Sequence, residues 1–169
     1  MNVARFTRLF EDHHASLFRY LTRLSGDSDV AADAAQEAFV RMIEGHGRAG
    51  AIEPRAWLFT VGTRLVLEGG RTVTRRARLL DVAPDRAPLG EAPMDAHARV
   101  EREERRRVVS TALAALSDKE RTALLMQQEG FAHREIADTV GTTTGSVGTL
   151  LARALEKLAA ALPLDADQL

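Results

Sequence analysis

Asp33, Gln36 and Glu37 fall within about one turn's length of chain, and Arg41 follows Glu37 by four residues. At about 3.6 residues per turn these four positions share one side of a helix. Such a ridge either is a solvated face or offers charged hydrogen bonds to a protein partner. A second set is basic. Arg64, Arg71, Arg75, Arg76 and Arg78 are opposed by Glu68 alone between residues 64 and 80. Arginines clustered in this way hold phosphates and draw in a nucleic-acid strand. A third set is small and hydroxylic: Thr143, Thr144, Ser146 and Thr149, followed by Arg153. All three sets bind rather than react.

Reactive constellations are missing. His13 and His14 are adjacent, so on a helix they point about 100° apart and chelate one ion poorly. His46, His97 and His133 have no ligand-like spacing to carboxylates, and cysteine is absent. No glycine loop with lysine follows a strand, so no phosphate-cradling motif is present. We therefore expect no enzyme, no metal and no cofactor.

The elements that must carry these sets are helical. Phe6, Phe10, Leu17, Leu21 and Leu24 recur at helical spacing in a first helix that Gly26 ends. Asp27 to Asp29 offer a cap for a second helix, whose apolar stripe is Val30, Ala34, Ala38 and Met42. Gly45, Gly47 and Gly50 mark a loop containing His46 and Arg48. Pro54 suits the first turn of a third helix, with Trp57, Leu58, Val61 and Leu65 as its core face. Gly69 and Gly70 should weaken or bend it before the arginines. Residues 81–98 hold Pro84, Pro88 and Pro93 among alanines and acids, and read as a flexible linker.

Beyond the linker, Val108, Val109, Ala112, Leu113 and Leu116 form another core face. Ser117 and Glu120 are spaced as a capping box for a helix reaching about Gln128. Gly130 breaks that helix. Residues 133–140 make a short helix, Gly141 turns the chain, and Thr143 can cap a last helix ending near Pro163. A short helix, a glycine turn and a second helix form the helix-turn-helix pattern. Ala137 is small where the helices cross, and Ile136, Val140, Val147 and Leu151 seal the core between them. The last helix is poor in positive charge, with Arg153 and Lys157 opposed by Glu156. Phosphate contact drives most non-specific affinity, so this part alone should hold DNA weakly.

Composition agrees. Of 169 residues, 45% are hydrophobic and only 5% aromatic, a mixture favouring helix over sheet. No run approaches the roughly 20 apolar residues needed to span a bilayer, and Arg5 and Arg8 interrupt the N-terminal stretch. We expect a cytoplasmic protein with no membrane insertion. The fold class is all-α: two small helical domains joined by a flexible linker, the second containing the helix-turn-helix.

In the order and spacing of its pieces the chain resembles the sigma-70 family of transcription initiation factors, of the extracytoplasmic-function (ECF) type. The resemblance rests on Gly26-Asp27, on 32–39 (ADAAQEAF) and on 54–61 (PRAWLFTV). It continues in 112–116 (ALAAL), Glu120-Arg121, 129–131 (EGF) and 134–137 (REIA). It implies a first domain, 1–80, that binds core RNA polymerase and melts the −10 element. It implies a linker, 81–98, whose acids either mimic nucleic acid in the RNA-exit path or keep the segment solvated. A second domain, 99–162, would read the −35 element, and 163–169 would be a short tail.

Residue by residue, the resemblance assigns Asp33, Gln36, Glu37 and Arg41 to the polymerase. It assigns Arg64, Arg71, Arg75, Arg76, Arg78, His46 and Arg48 to the −10 region. It assigns Arg134, Thr143, Thr144, Ser146, Thr149 and Arg153 to the −35 element. The implied partners are the β′ and β subunits of core polymerase, promoter DNA and an anti-sigma factor. The chain departs from the family where Thr63-Arg64 replaces an Arg-Asn pair. It departs again where Gly148, Leu150 and Leu155 replace basic residues, and where Ala132 replaces a capping serine. The alternative is a stand-alone helix-turn-helix regulator, whose last domain would look similar.

Overall fold

The computed structural model describes residues 3–45, 53–80 and 96–162. All regular structure among them is helical: α1 (Val3–Ser25), α2 (Ser28–Ile43), α3 (Pro54–Leu80), α4 (Ala96–Ala114), α5 (Asp118–Gln128), α6 (His133–Val140) and α7 (Thr144–Ala161). They sort into two compact units, one built on α1 to α3 and one on α4 to α7. The fold is thus all-α in two helical units. Most of the expected linker, residues 81–95, and the tail, 163–169, lie outside the described residues. Residues 96–98, placed in the linker by composition, are the first turn of α4.

In the first unit the three helices pack against one another. Leu17, Tyr20, Leu21 and Leu24 supply the buried face of α1. The buried face of α2 is mostly alanine, Ala31, Ala34, Ala35 and Ala38, closed by Phe39 and Met42. Small side chains let the axes approach, and Phe39 fills the remaining space against Phe10 at 5.0 Å between ring centroids. Gly62 of α3 sits against Leu21 so closely that a β-carbon there would lie 3.1 Å from a Leu21 methyl. The turn between α1 and α2 forms as its local signals require. Gly26 has φ +74°, and the Asp27 carboxylate accepts from the N–H groups of Asp29 at 2.7 Å and Val30 at 3.1 Å. Such a cap contributes roughly 1 kcal/mol.

Gly69 and Gly70 do not end α3, and its expected core face is only partly buried. The helix runs unbroken through Gly69 and Gly70 to Leu80. A helical glycine costs about 1 kcal/mol relative to alanine, a penalty too small to stop a helix between good helix formers. Of Trp57, Leu58, Val61 and Leu65 only Leu58 is buried; the other three are half-buried. The buried residues of α3, Ala56, Leu58, Phe59, Thr63 and Val66, centre on the side of the helix roughly opposite Trp57. The start of α3 holds a cap that the sequence reading missed. The Glu53 carboxylate accepts from the N–H groups of Arg55 at 3.0 Å and Ala56 at 3.2 Å.

In the second unit α5, α6 and α7 pack together, and only the last turns of α4 join them. Ala112, Leu113 and Leu116 are buried as expected. Val108 and Val109 are not: they are 37% and 48% exposed. The described residues from Val100 to Thr111 are all exposed. That stretch is supported along its own surface, by Glu101 with Arg105 at 3.8 Å and Glu103 with Arg107 at 3.6 Å. Pairs at this spacing stabilise a helix without burying it, by roughly 0.2–0.5 kcal/mol each.

Candidate docking and nucleic-acid interfaces

The α2 ridge forms as one exposed face. Its opposite side is the alanine seam, which fixes how the helix is turned. Asp33 and Gln36 are exposed, and Glu37 and Arg41 are half-buried. Arg41 Nε donates to Glu37 Oε1 at 2.7 Å. Both are more than two-fifths exposed, so the pair holds geometry more than it adds stability. A partner meeting this face finds one free carboxylate, one amide and one neutralised pair. Apolar groups interrupt the ridge. Val40 is 39% exposed one turn beyond Gln36, and Ile43 is 48% exposed near the end of the helix. The sequence reading overlooked them. Their signal was available: neither lies on the Ala34–Ala38–Met42 stripe, so helix phase alone turns them outward.

The basic set is distributed along α3. Arg64 is exposed, one residue after buried Thr63. Because α3 continues to Leu80, the positions of Arg71, Arg75, Arg76 and Arg78 are helical. Register aligns positions 64, 71, 75 and 78 in one stripe, with 76 about 100° round the helix from 75. His46 and Arg48 lie outside the described residues.

The helix-turn-helix is built as its sequence requires. Gly141 has φ +68°, the left-handed conformation that a β-carbon resists. The N–H of Thr142 donates back to the Ala137 carbonyl at 3.0 Å, closing the turn. Ile136, Ala137, Val140 and Val147 are buried between the helices, while Leu151 is half-buried. Arg134, Thr143, Thr144, Ser146, Thr149 and Arg153 are all exposed. Ser146, Thr149 and Arg153 follow at three- and four-residue steps, so they share one outward ridge. Thr144 stands off that ridge in the first turn.

The expected caps differ in detail. Thr143 occupies the N-cap position of α7, but its side chain caps no backbone N–H. Its hydroxyl instead pairs with that of Ser146 at 2.7 Å. Ala132 has no side-chain acceptor, so only half of a capping box forms before α6. The Glu135 carboxylate accepts from the Ala132 N–H at 2.8 Å. The box before α5 is complete. Glu120 Oε2 accepts from the Ser117 N–H at 2.9 Å, and the Glu120 N–H donates to Ser117 Oγ at 3.3 Å.

Lys157 is where tertiary structure changes the charge of the ridge. Its ammonium donates to both carboxylate oxygens of Glu120, at 2.8 and 2.9 Å. Those hydrogen bonds, with the ones from Ser117, hold the Glu120 carboxyl down at about 2. Arg153 is then the cation left on the outward face of α7. Among the described residues no cluster of histidine, aspartate or glutamate could hold a metal ion, and no helix is long and apolar enough to cross a membrane.

Comparison with known proteins finds matches to both units. Residues 9–76 match the family model described as Sigma-70 region 2, and residues 106–158 match Sigma-70, region 4. The chain is 29% identical over 159 residues to the ECF RNA polymerase sigma factor SigL of Mycobacterium tuberculosis, covering 92% of this chain and 88% of that one. The sigma factor RpoE of Bartonella quintana, solved in complex with the anti-sigma factor NepR, superposes with a TM-score of 0.69 at 22% identity. That match covers 96% of this chain and 99% of the other. CnrH, solved in complex with the cytosolic domain of CnrY, gives a TM-score of 0.68 at 22% identity, covering 98% and 91%.

Proposed function

The chain belongs to the sigma-70 family, in its ECF group, and on that premise we propose how its two units divide the work of a sigma factor. It binds core RNA polymerase and directs promoter-specific initiation. The observation that carries this is the pairing, in order along one chain, of the region 2 and region 4 matches. A stand-alone regulator accounts for the second match only.

In this reading the first unit docks through the α2 ridge. Asp33, Gln36 and Glu37 meet the polymerase β′ subunit, and Arg41 keeps Glu37 in place. Arg64, Arg71, Arg75, Arg76 and Arg78 then present a basic stripe to the phosphates around the −10 element. The second unit sets α7 into the major groove at the −35 element, reading it with Thr144, Ser146, Thr149 and Arg153. Thr143 and Arg134 contact the flanking backbone. One outward cation on α7 gives weak affinity by itself. Two modest contacts joined by a linker give tight binding when the spacing matches, so promoter spacing matters as much as sequence. RNA synthesis is the polymerase's chemistry; the chain directs it. An anti-sigma factor that masks these surfaces is the third partner, a reading supported by the complexes of RpoE and CnrH.

The test is binding of the purified chain to core polymerase. The wild type is compared with an Asp33→Ala, Gln36→Ala, Glu37→Ala triple variant of unchanged helicity. Binding lost in the variant supports both the function and the docking face. No binding by a folded wild type removes the reading.

A further inference from the structure

The recognition helix buries few side chains completely. Of the 18 residues of α7, only Val147 and Ala154 are buried. They are seven apart, so they lie almost in line along the helix, with Leu150, Leu151 and Leu158 half-buried beside them; the apolar contacts form one narrow stripe, which leaves the roll of the helix to be fixed by contacts off that stripe. Past Ala154 no side chain of α7 is fully buried, and Leu158 is half-buried. The anchor away from that line is polar. Lys157 stands about 60° round the helix from Ala154, and its ammonium is tied to both oxygens of the Glu120 carboxylate. Glu120 is itself only 5% exposed and is fixed by the Ser117 N–H and hydroxyl at the start of α5. The anchor is therefore rigid at its α5 end.

The same lysine continues the outward ridge. Ser146, Thr149 and Arg153 are followed by Lys157 four residues on, where a phosphate-binding cation would be expected from sequence. We propose that Glu120 and Lys157 are positioning residues for −35 reading. Their ion pair sets the roll of α7 and so the direction of Ser146, Thr149 and Arg153, and the DNA-contacting ridge ends at Arg153. This rests on the sigma-factor reading above.

The two roles for Lys157 give opposite signs, which makes them separable. The chain is assembled with core polymerase. The probes are a promoter duplex recovered by the wild-type complex from a random-sequence pool, and the same duplex with its upstream element scrambled. Lys157→Gln and Glu120→Gln should each lower discrimination between the two duplexes several-fold. The dependence of affinity on salt should stay unchanged, because no phosphate contact is lost. Lys157→Arg should keep discrimination, since a guanidinium still reaches the carboxylate. The proposal is overturned if Lys157→Gln lowers the salt slope by about one while Glu120→Gln tightens DNA binding, the signature of a phosphate ligand set free. It is overturned equally if both glutamine variants keep full discrimination. Should Glu120→Gln unfold the second unit, the contrast between Lys157→Gln and Lys157→Arg decides alone. A wild-type complex that ignores the upstream element sinks the −35 reading itself, and that failure shows before any variant is made.

Discussion

The hydroxyls of Tyr20 and Thr63 meet at 2.7 Å inside the first unit, joining α1 to α3. Thr63 has one hydrogen, which it donates to the Phe59 carbonyl at 2.7 Å. Tyr20 is therefore the donor to Thr63. The pair orients α3 immediately before Arg64, at the place where the family usually has an arginine. Thr63→Val should cost about 1–3 kcal/mol, because it strands a buried phenol without an acceptor. Adding Tyr20→Phe should recover much of that loss. Urea unfolding of the two single variants and the double one reads the coupling, and simple additivity would contradict it.

The second unit should lose stability in acid over a defined window. Glu120 has its carboxyl lowered from 4.5 to about 2 by Lys157 and Ser117. A depressed carboxyl contributes stability that is fully present above the unfolded value and is lost as pH falls through the folded value. The loss should therefore run from about pH 4.5 down to about 2. Glu120→Gln should be less stable than wild type at pH 7 and nearly equal to it at the acid end. Thermal unfolding across that range checks both points, and a constant gap between the two proteins would refute the assignment.

Ala132→Ser should stabilise the second unit. The backbone at Ala132 is already extended, with φ −70° and ψ 152°, and Glu135 already supplies the return hydrogen bond. A serine hydroxyl completes the box at no conformational cost, worth about 1 kcal/mol. Denaturant titration reads the gain, and no gain would mean that the hydroxyl fails to reach the helix N–H groups.

Val40→Ser and Ile43→Ser should leave the first unit folded and weaken polymerase binding several-fold. Both side chains are exposed, so stability should change by no more than about 0.5 kcal/mol. On the docking face an apolar group among polar ones gains by burial against a partner. Titration of core polymerase separates the two effects. Unchanged affinity would confine the docking face to Asp33, Gln36 and Glu37.

Much of this molecule follows from local spacing. Gly26-Asp27, Ser117 with Glu120, and Gly141 each act within a few residues, so the ends of α1, α5 and α6 could be placed from the chain alone. The α2 ridge and the helix-turn-helix are likewise matters of helical phase, and phase is a property of sequence. The partners of side chains far apart in sequence are not. Lys157 reads as a cation of the recognition helix until the fold brings it to Glu120, 37 residues earlier. Val108 and Val109 read as core, yet burial depends on whether another element covers them, and among the described residues both stay more than a third exposed. Thr63 reads as a missing arginine, and only the crossing of α1 over α3 shows it holding Tyr20. Hydrogen bonds within a turn are fixed by backbone geometry; which charge meets which across the core is fixed only once the helices have packed.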